Sequence, residues 1–194
     1  MLRLLMLLSL LLTMNNAFAQ MVTYGKQGEK AMAYRLVTLT SQEQEDKTVF
    51  LGRVGRFLTN FTKNNGVEGC AVVCHIPNAA RWGVVVHTNQ SVLACTAVSV
   101  CPEGMSPSNT TIHSHPEMGV YNLTRVDATF RRARNDKHQD SRTFNVQRYE
   151  GFSSFDKSYG PSYLVEDGQL LYFDGRQTVN LGPVAASVLG SATP

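Results

Sequence analysis

The sequence carries little imbalance of charge: 18 Lys and Arg stand against 15 Asp and Glu, a formal net charge of +3. So mild a balance argues against a nucleic-acid partner, which would need a clustered basic stripe. The nearest cluster, Arg131-Arg132-Ala133-Arg134, reads as the solvated face of a helix. No internal repeat and no low-complexity block is present, which leaves one domain as the reading. The one long apolar run, Leu4 to Leu12, falls short of the roughly 20 residues a membrane-spanning helix needs, and no second span follows it. Only four cysteines occur, Cys70, Cys74, Cys95 and Cys101, and none form a C-x-x-C pair. That spacing argues against a four-cysteine zinc site.

What is present begins at the N-terminus. Met1-Leu2-Arg3 gives a positive start, Leu4 to Leu12 an apolar core, and Ala17-Phe18-Ala19 an A-x-A end. These three parts predict a secretory signal peptide over residues 1–19. Cleavage leaves residues 20–194 as a single domain, with the loss of Arg3 lowering the charge from +3 to +2. No cysteine closely follows the apolar run, so a lipid anchor is not indicated. The expected location is periplasmic or secreted, with no membrane span after signal removal. A small-residue-rich stretch from Gly182 predicts a short flexible C-terminal tail.

After a polar lead-in, Thr48 to Lys63 sets Phe50, Leu51, Val54, Phe57, Leu58 and Phe61 at helical spacing. Asn64-Asn65-Gly66 supplies the stop. Short β-like runs follow at Gly69 to Ile76, Trp82 to His87 and Ser91 to Val100, with turns at Pro77-Asn78 and Thr88-Asn89-Gln90. They predict an antiparallel meander. A loop, Cys101 to Pro107, leads to a strand ending at His113. Asn122 to Asn135 has helical character, and Asp136 to Gly151 is polar and irregular. Ser162 to Val165, a turn at Glu166-Asp167-Gly168, and Gln169 to Phe173 predict a hairpin.

An even cysteine count in an exported chain reads as disulfides. If Cys70 to Cys74 is a strand, its four steps span about 13 Å, beyond the about 7 Å between α-carbons that a disulfide allows. Each of these two then pairs with Cys95 or Cys101, and which with which stays open.

The chemistry centres on His113-Ser114-His115. Two histidines at i and i+2 at a strand's end point the same way, so neutral imidazoles can share a metal, and Pro116 then turns the chain. A hydrolytic zinc site needs a third protein ligand and an open position for water. It also needs a carboxylate to move the water's proton to the leaving amine, and a donor for the oxyanion. His75 and His87, in the meander, read as solvent-facing or hydrogen-bonded, and His138 reads as part of a charged loop.

His113-Ser114-His115-Pro116 resembles the H-x-H-P of the JAMM metalloproteases, also called MPN+ or JAB, whose pattern continues to S-x-x-D and has a glutamate on an earlier strand. The resemblance covers roughly Thr48 to Gly175. It implies an α+β, cytidine-deaminase-like fold with a mixed, largely antiparallel sheet flanked by helices. It implies zinc held by His113, His115 and an aspartate, a glutamate as general acid/base and a serine assisting the oxyanion. Val67-Glu68-Gly69-Cys70, opening a strand, offers Glu68 as that glutamate; Glu103 and Glu117 compete but sit in loops. Two aspartates compete as third ligand. Thr124-Arg125-Val126-Asp127 has the usual family spacing, with threonine for serine. Phe152-Ser153-Ser154-Phe155-Asp156, followed by Tyr163-Leu164-Val165 and a glycine hairpin, resembles exported and toxin-associated bacterial JAMM-like domains. Ser153 and Asp156 also suit a helix cap. Asp156 with Ser153 is preferred, and Asp127 with Thr124 is the alternative. The departures from the family pattern are the insert between Pro116 and Ser153 and the cysteines.

The resemblance implies zinc-dependent hydrolysis of peptide or isopeptide bonds outside the cytoplasm, on a peptide or protein such as a cell-wall peptide. The alternative is a catalytically silent JAMM-like binding module of the cell envelope, which would not need Glu68. A zinc nucleotide deaminase is excluded, because its P-C-x-x-C segment is absent.

Overall fold

The computed structural model of the chain describes residues 19–24, 29–133, 142–146 and 151–184. In chain order the elements are β1 (Ala19–Tyr24), β2 (Glu29–Thr40), α1 (Lys47–Asn65), β3 (Cys70–His75), β4 (Trp82–Thr88), β5 (Ser106–Ser114) and β6 (Gly119–Asn122). They continue with α2 (Arg125–Ala133), β7 (Thr143–Val146), α3 (Ser154–Ser158), β8 (Ser162–Glu166), β9 (Gln169–Phe173) and β10 (Thr178–Pro183). Eight strands form one sheet in the order β1-β2-β4-β3-β5-β8-β9-β10, and β6 pairs with β7 in a separate ribbon. Every junction of the large sheet is antiparallel except β5 with β8. The class is mixed α+β, as the sequence predicts. The predicted signal peptide, apart from Ala19, and residues 185–194 of the predicted tail lie outside the described residues, as does His138.

Helix α1 forms where the apolar spacing predicts it. The Asp46 carboxylate accepts the Thr48 N–H at 2.7 Å to start it, and Gly66 ends it at φ 67°, a left-handed turn suited to glycine. Its stripe of Phe50, Leu51, Val54 and Leu58 packs on Ala71, Val73, Val84, Val86, Ile112 and Val165. Those sheet residues share one face by strand alternation. The other face carries Cys70 and Cys74 of β3 and His113 of β5, since Cys70 lies directly opposite His113 in the ladder. Covering that face are the segment after β4 and α2, where Ala94, Val98 and Phe130 meet Val22, Ala31 and Ala33.

Two disulfides, Cys70–Cys95 and Cys74–Cys101, tie this covering segment to β3, with α-carbons 5.7 and 5.8 Å apart. The excluded Cys70–Cys74 bond is absent. The expected strand from Ser91 to Val100 does not form: the segment carries no strand. Its would-be neighbours are saturated, because β3 already pairs with β4 and β5 while β4 pairs with β2 and β3. Two more expectations need correction. His87 is buried, 4% exposed, so it is not solvent-facing. Arg131 is 5% exposed, so at this position the chain is not solvated as expected. His75 lies against Trp82, ring centroids 6.3 Å apart. Among the described residues no helix is long and apolar enough to cross a membrane.

Candidate metal centre

The end of β5 sorts its side chains by face. Ser114 points to α1, where its hydroxyl lies 2.6 Å from Thr62 Oγ1 and accepts the Gly69 N–H at 3.2 Å. His113 and His115 therefore point to the opposite face. The His115 N–H donates to the Val165 carbonyl at 3.2 Å, carrying the β5–β8 pairing one residue past the strand. Pro116 follows and offers no N–H to extend it.

Asp156 arrives from α3. Ser153 caps that helix: its hydroxyl accepts the Asp156 N–H at 3.2 Å, and the Asp156 carboxylate accepts the Ser153 N–H at 2.8 Å. The Ser153 hydroxyl also donates to Asp156 Oδ2 at 2.6 Å. This reciprocal box fixes the carboxylate before any ligand is considered. Asp156 Oδ1 then stands 3.6 Å from His113 Nε2, and Oδ2 stands 3.7 Å from His115 Nε2.

The residues fit a metal. One ligand atom from each of His113, His115 and Asp156 lies within 4.8 Å of the others. Donors about 2.0 Å from a tetrahedral zinc sit about 3.3 Å from one another, close to the two His–Asp separations. Those separations are too long for hydrogen bonds. His113 Nε2 is buried and has no hydrogen-bond partner, an arrangement that costs free energy unless something occupies that direction.

Charge is distributed to match. Burial lowers the pKa of His113, with Asp156 only partly opposing it, so this ring is neutral. Burial opposes charge on His115 as well, but the Asp156, Glu166 and Glu68 carboxylates outweigh it and push its pKa up to about 10. Burial would raise Asp156, yet the two imidazoles and the Ser153 hydroxyl hold it well below the usual carboxylate range.

Glu68, His113, His115, Ser153 and Asp156 all line one cavity of about 650 Å³. Glu68 precedes β3 and is fixed through its backbone: its N–H donates to Ser91 O at 2.8 Å and its carbonyl accepts the Thr88 hydroxyl at 2.7 Å. Asp127 is elsewhere. Fully buried, it accepts from the Ser91 hydroxyl and from Val92 N (2.9 Å) and Leu93 N (3.2 Å) on one oxygen, and from Thr124 N (2.6 Å) and Oγ1 (2.8 Å) on the other. It anchors the covering segment to α2 and is not brought to the histidines. Glu103 lies exposed in a turn, and Glu117 faces Lys63 at 3.8 Å.

Two residues at the site were not foreseen. Phe152 meets the His113 ring edge-on, centroids 6.0 Å apart, with Phe173 behind it. Glu166 Oε1 lies 3.1 Å from His115 Nδ1. Glu166 reads as a turn residue in sequence, and its proximity follows only from the parallel β5–β8 junction, which no local pattern announces. Compared with protein-family models, with curated proteins and with solved structures, the chain finds no match in any of the three.

Proposed function

We propose that the protein is a JAMM-type zinc metallopeptidase or isopeptidase acting outside the cytoplasm. The observation that carries this reading is the convergence of His113, His115 and Asp156, with His113 Nε2 buried and lacking a hydrogen bond. Two imidazoles and one carboxylate suit zinc and leave a coordination position open, as hydrolytic sites do. When bound there, zinc supplies a polarised carbonyl and a water of lowered pKa.

The protein residues supply the rest. His113 is held neutral and ready to coordinate. Asp156 is held ionised by its cap. Glu68, in the wall of the same cavity, takes the water's proton and returns it to the leaving amine. Ser153 turns its hydroxyl from Asp156 toward the carbonyl oxygen as negative charge develops there. The cavity has room for several residues of a peptide, and a cell-wall peptide or an envelope protein is the proposed substrate class. Two disulfides fit an oxidising compartment, which supports export to the periplasm or beyond.

Metal analysis and hydrolysis assays on the full chain test the reading. About one zinc per chain is expected, lost in the double change His113→Ala, His115→Ala. Glu68→Gln keeps zinc and fold but abolishes hydrolysis. Retention of zinc by the double variant would sink the site. A chain that binds zinc yet hydrolyses neither peptide nor cell-wall libraries would be a silent binding module instead.

A further inference from the structure

Glu166 ends β8 just before the tight β8–β9 turn, where a carboxylate ordinarily faces water, yet it is 8% exposed. Its two oxygens serve two different stretches of chain. Oε1 lies 3.1 Å from His115 Nδ1, and Oε2 accepts the Gly151 N–H at 2.9 Å. Gly151 has φ 67°, a backbone conformation a side chain would strain. From it the chain runs straight into Phe152, which braces His113, then into Ser153 and Asp156. One buried carboxylate thus joins the two segments that carry the three candidate ligands, although residues 116–150 separate those segments in sequence.

We propose that Glu166 is the positioning residue of the metal centre. A neutral imidazole carries one N–H. When Nδ1–H donates to Glu166, the Nε2 lone pair is left for the metal, whereas the other tautomer would place a proton where the metal bonds. The second oxygen meanwhile holds the Gly151–Asp156 turn at the separation the third ligand needs. The proposal rests on the metal-centre reading given above.

Substitution separates the two tasks. In Glu166→Gln a single amide oxygen replaces two acceptors. If that oxygen faces His115, the NH2 confronts the Gly151 N–H. If it faces Gly151, the NH2 forces Nδ1 to accept and drives the proton to Nε2. Glu166→Asp keeps the charge but is one methylene too short to reach both partners. Asp167→Asn, in the exposed turn next door, serves as a charge control.

Zinc and cobalt(II) are titrated into the full-length chain and its variants. Glu166→Gln and Glu166→Asp are expected to bind zinc about 10–100-fold more weakly and to shift the cobalt absorption bands, while Asp167→Asn matches the parent. Parent affinity and unchanged bands in both Glu166 variants would overturn the positioning role. A parent protein that takes up neither metal would overturn the metal-centre reading itself. Should the variants fail to fold, the zinc-loaded parent labelled with 15N-histidine decides the matter. A proton on His115 Nδ1 with Nε2 on the metal is the expected pattern, and the reverse tautomer refutes the proposal.

Discussion

Asp127 and Asp156 are the same side chain held by the same local device, each the fourth residue of a Thr- or Ser-x-x-Asp cap. Their surroundings assign them different tasks. Every lone-pair direction of Asp127 is taken by a donor of its own fold, so Asp127→Ala should leave zinc affinity nearly unchanged. It strands several buried donors, which costs about 3 kcal/mol and lowers the unfolding temperature by about 6–12 °C. Asp156→Ala should lose zinc, and its melting also falls because the helix cap goes with it. Zinc titration and thermal denaturation of both variants check this, and the reverse order of affinities would move the site to Asp127 and Thr124. Ser153→Ala keeps the metal but slows turnover by about 10²-fold or more if its hydroxyl meets the oxyanion, as steady-state kinetics on an identified substrate would register. His115 gives a pH-dependent signature. With its pKa pushed up to about 10, the ring is protonated near neutrality and must lose that proton to coordinate. Zinc uptake at pH 7 should therefore release about one proton, and affinity should rise with pH until His115 titrates. Calorimetry in two buffers of different ionisation enthalpy measures the release, and no difference between buffers would contradict it.

Helix α1, the β8–β9 hairpin and the strand ending in the paired histidines were legible in the sequence because each is specified locally, by a period and a stop signal. The Ser153–Asp156 cap was legible for the same reason. Ser91 to Val100 alternates like a strand, but β3 and β4 have no free edge to offer it. Its backbone donors go instead to the side chains of Asn89, Ser91 and Asp127. Strand β2 has no clear period of two, because a register shift between Arg35 and Val37 breaks it, and because the buried positions of its first half are alanines, Ala31 and Ala33. What fastens the segment after β4 is covalent. Peptide mapping without reduction should return Cys70–Cys95 and Cys74–Cys101. Replacing Cys70 and Cys95 by Ala releases a constraint across 25 residues, worth about 3 kcal/mol by loop entropy, with a drop of about 6–12 °C in melting temperature. Unchanged melting would show that the Cys74–Cys101 bond and the segment's own contacts already hold it in place.

At the scale of the molecule, the parallel β5–β8 junction divides the large sheet into two antiparallel parts. On one side β3, β4 and β5 are near in sequence; on the other, β8 and β9 form a two-residue-turn hairpin. Contacts between near neighbours form sooner than those that must close a long loop, and the junction must close across residues 115–161. The three ligands straddle it. Trp82, the one tryptophan in the chain, sits in β4 on the early side. When the disulfide-intact protein refolds, Trp82 emission should recover before cobalt absorption does, and simultaneous recovery would show the sheet assembling as a unit. On that order of events, α1 packs on β3, β4 and β5 first, and Val165 and Leu170 complete the core only when the junction closes and the centre forms. Metal cannot hasten the first half, yet by capturing the closed junction it pulls the second half to completion.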